Sequence, residues 1–517
     1  MVSAIPLLHD YLIASAERLP DKTALVCGGR RVSYGDIERA SNALAIGLAE
    51  RGVIRGDRVV IFADNTVETV LSFWAALKAN AVAVLVNPLT KVDKLSYLIG
   101  DCRPTAMVTD AHLQSVWGEL VAAPSLKTVI ASGSLDAALL GEGGHVEGFD
   151  AVLAECTGQT APARTCIDID LAAVVYTSGS TGDPKGVMLT HRNMLTAATS
   201  VSTYLEMQEN DVILNVLPLA FDYGLYQMIM AFRQGASLVL ERSFTFPAAV
   251  LKVASAERIT CLPGVPTIFA ILADMKGLAA FDLSSLRFIT NTAAALSLKH
   301  IDFIRRSFPA VRLYSMYGLT ECKRCTYLPP EDLDRKTGSV GVAIPNTEVW
   351  VVDDAGKRVP PGVVGQLVIR GATVMKGYWE KPEATAKKLK PGPLPGEQVL
   401  WTGDFCKMDE EGYVYFVGRM DDIIKSRGEK VAPKEVESVL VSMPGIREAA
   451  VIGVPDEILG QAIKAFVVLE SGRALNVKEI QNYCQGRLEN FMVPKFIEFV
   501  VDLPKTDTGK IKKMGLS

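Results

Sequence analysis

Over the first two thirds of the chain, short aliphatic and β-branched runs alternate with helix-length amphipathic stretches. The runs at residues 58–63, 81–86, 106–109, 128–131, 172–176, 212–217, 237–240 and 287–290 have the length and composition of buried strands. Residues 34–51 and 68–79 carry helical periodicity between them. This alternation predicts an α/β architecture with mostly parallel sheets, because a parallel connection needs a crossover and a helix supplies it. Near residue 345 the texture changes. Strand runs at 348–353, 365–370 and 413–417 are separated by Gly, Pro and Asp turns, which predicts a small antiparallel, β-barrel-like subdomain. Beyond 430 the order is helix 433–443, strands 448–454 and 463–469, helix 477–488 and strand 496–501, a compact α+β pattern. Residues 132–148 read as a Gly-rich polar loop, and 390–397, KPGPLPGE, as irregular chain. The densely charged stretch GRMDDIIK at 418–425 marks a boundary. The expected division is 1–420, two α/β subdomains plus the β-barrel-like one, and 421–517, a C-terminal α+β domain.

Composition narrows the function. In 517 residues, 49% are hydrophobic and 22% charged, which supports a large core and excludes a mostly disordered chain. The net charge of −4 leaves no basic excess to neutralise a nucleic-acid backbone, so no nucleic-acid partner is expected. Nine scattered cysteines do not form a disulfide framework and suit a reducing compartment. Cys322 and Cys325 make a single C-x-x-C with no second pair or nearby His, so it is not read as a zinc site. The first thirteen residues lack the basic-then-apolar pattern of a signal peptide, and the apolar stretch 69–86 is broken by Lys78 and Asn80. The expected setting is the cytoplasm, with no transmembrane segment.

The chemistry-bearing segment is 175–186, VYTSGSTGDPKG, where an apolar strand runs into Thr177, Ser178, Gly179, Ser180, Thr181 and Gly182, then Pro184, Lys185 and Gly186. Glycines let such a loop turn several backbone N–H groups toward one point, and hydroxyls and a lysine add donors, a composition suited to phosphate oxygens. It is not a Walker A loop, because Lys185 is followed by Gly186.

TSGSTGDPKG resembles the phosphate-binding signature of the adenylate-forming superfamily, which includes acyl-CoA synthetases, peptide-synthetase adenylation domains and luciferases. Four further motifs follow in that family's order: YGLTE at 317–321, WTGD at 401–404, GRMDDIIKSRG at 418–428 and PKTDTGK at 504–510. The resemblance spans nearly the whole chain. It implies that 1–420 holds the ATP and acyl sites and that 421–517 is a mobile domain carrying a catalytic lysine. On this reading Tyr317 offers an aromatic face to adenine, with Gly318 beside it, Thr320 holds a phosphate oxygen, and the Glu321 carboxylate serves Mg2+, a cation that takes hard oxygen ligands. Asp404 would accept bonds from the ribose hydroxyls, and Arg419 would reach ribose or phosphate. Lys510 would place an ammonium where the acid's carboxylate meets the α-phosphate. Asp421 matches the pivot of a domain rotation, after which the loop at Gly428 approaches the pantetheine arm.

Two departures from the family bear on the substrate. LPLAFDYGL at 217–225 has Phe221, Asp222 and Tyr223 where many relatives place a histidine at the acyl tunnel. Amino-acid-activating relatives place an Asp in a similar Phe-Asp pair, so Asp222 reads either as an ammonium ligand or as a cap on the following helix. NTAAAL at 291–296 stands where relatives often show Gly-Gly-Ala. Ala293 and Ala294 keep it small enough for adenine and acyl group to pass, with Asn291 at its start. Lys323 and Arg324 can face a carrier protein, a polar substrate group or water, and water is the first expectation. The resemblance implies an ATP-dependent acid–thiol ligase that makes acyl-AMP and pyrophosphate, then transfers a fatty or aryl acyl group to coenzyme A. The alternatives are an amino- or imino-acid adenylation enzyme loading a carrier-protein phosphopantetheine and, more remotely, an inactive nucleotide-binding relative.

Overall fold

The computed structural model describes residues 7–135, 146–177, 183–292, 296–422, 424–426, 429–456, 459–488, 490–505, 511–513 and 515–516. Contacts divide the chain into two units. The larger comprises Met1–Pro330, Ala343–Glu348 and Arg370–Gln398; the smaller comprises Glu331–Val342, Val349–Ile369 and Val399–Ser517.

The larger unit holds two sheets. In one the strand order is Val146–Gly148, Thr128–Ser132, Ala106–Asp110, Arg58–Phe62, Val82–Val86, Leu171–Thr177, Lys185–Thr190 and Gly377–Tyr378. The pairings are parallel up to Leu171–Thr177, and the last two strands run antiparallel. Val82–Val86 and Ala106–Asp110 are buried at every position, as strands of a sheet covered on both faces must be. Val60, Phe62, Val84, Met107 and Val129 pack with the fully buried Trp117, whose indole N–H donates to the Asp110 carbonyl at 3.0 Å.

The second sheet runs Thr326–Leu328, Arg312–Tyr317, Phe288–Asn291, Cys261–Gly264, Val212–Asn215, Ser237–Leu240, Thr23–Cys27 and Arg30–Ser33. The pairs between the inner strands are parallel, while Thr326–Leu328 and Arg30–Ser33 each pair antiparallel with the neighbour named beside them. The crossover from Val212–Asn215 to Ser237–Leu240 is the helix Asp222–Gln234, buried from Tyr223 to Phe232 and ended by Gly235 in the left-handed region. Its start is held against the preceding turn at Gly224, where a Cβ would lie 2.3 Å from the Pro218 carbonyl oxygen.

In the smaller unit, Thr347–Val352, Gly365–Gly371, Gln398–Met408 and Val414–Arg419 are neighbouring strands, the last three antiparallel. A second sheet is built on Ile446–Asp456 and Gly460–Leu469, with Ile424–Ser426, Glu429–Val431 and Phe496–Phe499. Helices Pro433–Ser442 and Val477–Gln485 cover it through Val436, Leu440 and Ile480 against Val451 and Val467. Asn476 and Glu479 form a reciprocal cap at the start of the second helix.

The α/β class with a small C-terminal α+β part is the predicted one. Two loops need correction. The stretch 390–397 is not wholly irregular, because Lys390 and Pro391 close the short strand Leu389–Pro391; a proline is tolerated at a strand's end. The stretch 132–148 contains the strand Val146–Gly148. Contacts also group 331–342, 349–369 and 399–419 with the C-terminal chain, so the contact boundary does not fall at the expected 420/421 division. No helix among the described residues is long and apolar enough to cross a membrane.

Candidate active site

The phosphate-loop motif occupies a hairpin. Leu171–Thr177 is an inner strand of the first sheet, and Lys185–Thr190 returns beside it with Thr177 opposite Lys185. The Thr177 hydroxyl donates to the Lys185 carbonyl at 3.4 Å. Ser178, Gly179, Ser180, Thr181 and Gly182 lie outside the described residues. The hairpin is anchored from below: Tyr97 donates its hydroxyl to the Pro184 carbonyl at 3.1 Å, and Tyr176 donates to Asp101 at 2.6 Å. Asp101 also receives the Lys381 ammonium at 3.0 Å.

The strand Gly377–Tyr378 lies against Lys185–Thr190 and brings in a residue that sequence reasoning missed. Tyr378 donates its hydroxyl to Glu321 Oε1 at 2.7 Å, and the Lys185 ammonium sits 5.7 Å from the centre of its ring. The Glu321 carbonyl is held by the Met375 N–H at 2.7 Å. Three distant segments thus put an ammonium, a carboxylate and a phenol side by side at the mouth of the hairpin. The signal was the GYW run at 377–379, whose aromatic residues follow a turn glycine.

Tyr317 ends the strand Arg312–Tyr317, opposite Thr326 on the returning strand. The turn between them is tight. At Gly318 a Cβ would stand 2.1 Å from the Lys323 carbonyl oxygen, so only glycine fits. Thr320 and Glu321 are half-buried on this turn. Cys322 and Cys325 are fully buried with their sulfurs 2.6 Å apart.

Behind Glu321 the turn continues into the core, and three expectations change. Lys323 and Arg324 do not face water: they are 2% and 3% exposed. Asp222 is not the helix cap, because Phe221 occupies the N-cap position with no side-chain bond and Asp222 is the first helical residue. The Asp222 carboxylate instead meets the Lys323 ammonium at 3.1 Å, and that ammonium also donates to the Asp222 carbonyl. It rests 4.0 Å over the Tyr226 ring. Burial pulls the Lys323 pKa down to about 7, against the opposing pull of Asp222. So Asp222 does bind an ammonium, but one of the chain's own. Arg324 lies 4.4 Å over the ring of Tyr223, whose hydroxyl donates to the Thr290 carbonyl at 2.9 Å. Asn291 is fully buried at the end of its strand, and Ala293 and Ala294 lie outside the described residues.

In the smaller unit, Asp404 and Arg419 face each other across paired strands, with the guanidinium Nε 3.6 Å from the carboxylate. Asp404 is buried, and its N–H donates to the Thr402 hydroxyl, itself bonded to the Leu367 carbonyl. The backbone of Asp421 lies in the short helical turn Met420–Asp422 that follows Arg419. Gly428 and Lys510 lie outside the described residues; Lys505 and Ile511, which flank the latter, pair as an antiparallel bridge.

With this geometry in view, comparison with known proteins decides the family. The model of the AMP-binding enzyme family matches residues 12–379, and that of the AMP-binding enzyme C-terminal domain matches 435–510. The chain belongs to the AMP-binding enzyme family. A long-chain-fatty-acid–CoA ligase of Bacillus subtilis (strain 168) is 32% identical over 98% of this chain and 94% of its own length. A feruloyl-CoA synthase of an Amycolatopsis species is 33% identical over 98% of this chain and 97% of its own. Among solved structures, an anthranilate CoA ligase in complex with anthranoyl-AMP superposes with a TM-score of 0.88 at 28% identity, covering 98% of this chain and 95% of that one. This AMP-binding enzyme is an ATP-dependent ligase of the acyl-CoA ligase kind, forming an acyl-adenylate and then a thioester.

Proposed function

We propose that this enzyme activates a fatty or aryl acid that carries no amino group, and that coenzyme A is the acceptor. The observation that carries this reading is the Asp222–Lys323 pair. A carboxylate at that position would serve an amino acid only if free to take its ammonium, and here a buried lysine of the chain already holds it. Relatives that act on fatty, coumaric and ferulic acids support the same substrate class.

The roles of the site residues follow from their chemistry. Thr177, Lys185 and the loop between them cradle the ATP phosphates, and the Lys185 ammonium offsets charge on the leaving pyrophosphate. Tyr317 and Gly318 face adenine. Asp404 binds ribose, and Arg419 orients that carboxylate from the opposite strand. Thr320 and Glu321 present a hydroxyl and a carboxylate side by side, with one Glu321 oxygen fixed by Tyr378, a hard-oxygen donor set that fits Mg2+. When bound there, Mg2+ would neutralise phosphate charge. Phe221, Tyr223 and Asn291 line the acyl side. Residues 421–517 act as a mobile cap pivoting at Asp421: in one position Lys510 stabilises the charge shared by carboxylate and α-phosphate, and in the other Gly428 passes the pantetheine thiol toward the acyl carbonyl.

Acid-dependent pyrophosphate release with ATP and magnesium tests the reading, using straight-chain fatty acids, aryl acids and amino acids, each with and without coenzyme A. A fatty or aryl acid turning over strongly only with coenzyme A is the expected result. An amino acid turning over irrespective of coenzyme A would replace the reading with carrier-protein loading.

A further inference from the structure

The segment after Glu321 encloses more positive than negative charge. Lys323 is matched by Asp222, with the ammonium 3.1 Å from the carboxylate. Arg324, beside it in sequence and equally enclosed, has no such match. It is 3% exposed, its Nε has no hydrogen-bond partner, and no carboxylate among the described residues pairs with it. A guanidinium cannot shed its proton as a buried lysine does, so its charge persists. An enclosed charge with an unpartnered donor is costly, and chains rarely keep one that nothing uses.

The surroundings limit what can use it. Arg324 lies on the face of Tyr223, 4.4 Å from ring centre to Cζ, and the Tyr223 hydroxyl is committed to Thr290. Thr290 directly precedes Asn291 on the strand that leads toward the acyl side. The unmatched donor therefore stands at the wall formed by Tyr223 and the strand end, not on a surface where a carrier protein could reach it.

We infer that Arg324 is a specificity residue that receives a second carboxylate on the acid substrate, at the end remote from the carboxyl group that is activated. This rests on the ligase reading above and sharpens it from fatty or aryl acids without an amino group to those bearing a further anionic group. A planar guanidinium matches a carboxylate with two parallel N–H···O bonds, which fixes the acid's depth as well as its charge. Asp222 supports the same selection. Paired with Lys323, it is half-neutralised and does not repel the incoming anion as a free carboxylate would. The competing account is that Arg324 only packs against Tyr223.

The test compares matched acids, glutarate against pentanoate and isophthalate against benzoate, by thioester formation in the wild type and in Arg324→Met and Arg324→Lys. Binding of the same four acids to the unreacting wild-type enzyme is measured by calorimetry with a non-hydrolysable ATP analogue. The expected result is a kcat/KM at least about tenfold higher for the diacid in one or both pairs. Arg324→Met should erase that ratio mainly through KM, and Arg324→Lys should restore part of it. A packing role predicts equal losses for both members of each pair, which would overturn the proposal, as would equal wild-type use of diacid and monoacid. Should no acid release pyrophosphate, the ligase reading fails on its own. Calorimetry still decides the anion site, because tighter binding of the diacid upholds it and equal binding overturns it. The wild-type comparison also stands if Arg324→Met does not fold.

Discussion

The turn at 317–325 has two sides, and they treat charge in opposite ways. On the proposed nucleotide side, Lys185 and Glu321 are only half covered and gather about the buried Tyr378: the ammonium has its aromatic ring beneath it, and Glu321 is fixed through one oxygen. On the proposed acyl side, Lys323 and Arg324 are walled in, and the carboxylate of Asp222 is taken up by the chain itself. A polyanionic nucleotide arrives with water and needs charges that can change partners. An acyl group arrives by leaving water, so every charge left beside it must already be answered or must answer something on the substrate. The turn thus passes from the half-buried Thr320 and Glu321 to the buried Cys322–Cys325 within a few residues, which the close approach at Gly318 makes possible.

The sharpest way to break this contrast is on the open side. Lys185→Ala should lower the rate of adenylate formation by about 10²–10³-fold, as loss of a charge-stabilising donor does, while the melting temperature barely moves. A comparable fall in stability would make Lys185 a structural residue. On the enclosed side the signs reverse. Asp222→Asn leaves a buried ammonium without its partner and should cost about 3 kcal/mol of stability at pH 6. The penalty should shrink at pH 9. With its folded pKa near 7 and an ordinary value of 10.5, Lys323 binds fewer protons folded than unfolded between those values. Its contribution therefore rises with pH across that window and is lost as pH falls through 7. Urea unfolding at the two pH values reads the difference. Gly318→Ala should cost about 1–3 kcal/mol by driving a methyl group into the Lys323 carbonyl. It tests whether the two sides depend on one tight turn, since activity and stability should fall together. Tyr378→Phe is the mildest change, removing one hydrogen bond to Glu321. A loss near 1 kcal/mol, or about fivefold in kcat, is expected with unchanged folding.

Much of the fold was legible because buried parallel strands write themselves as short aliphatic runs. Strands such as Arg58–Phe62, Val82–Val86 and Ser237–Leu240 fall where periodicity put them, within a residue or so at each end. The strand Lys185–Thr190 was less visible, since its start lies inside the phosphate motif and its KGVMLT alternates only weakly. The nucleotide motifs were legible as contiguous strings. Tyr378 was not, because its role depends on a strand pairing between residues 191 apart, Val187 opposite Tyr378, plus one contact to Glu321. The Asp222–Lys323 pair was illegible for a similar reason. A charged pair 101 residues apart looks like two separate surface charges until the crossover helix and the turn after Gly318 are packed together. Expectation sent Lys323 and Arg324 to water because Lys and Arg are rarely enclosed without partners. Here one has its partner, and the other is the basis of the inference about the substrate.

The most direct test of the central claim, that the chain itself takes up the Asp222 carboxylate and leaves no seat for a substrate ammonium, is one matched comparison. Pyrophosphate release would be measured with 3-phenylpropanoate and with phenylalanine, each with and without coenzyme A, in the wild type and in Asp222→Asn. The account predicts coenzyme A-dependent use of phenylpropanoate over phenylalanine, with that preference surviving in any Asp222→Asn protein that folds. Wild-type use of phenylalanine without regard to coenzyme A, abolished by Asp222→Asn, would contradict it and return Asp222 to the substrate.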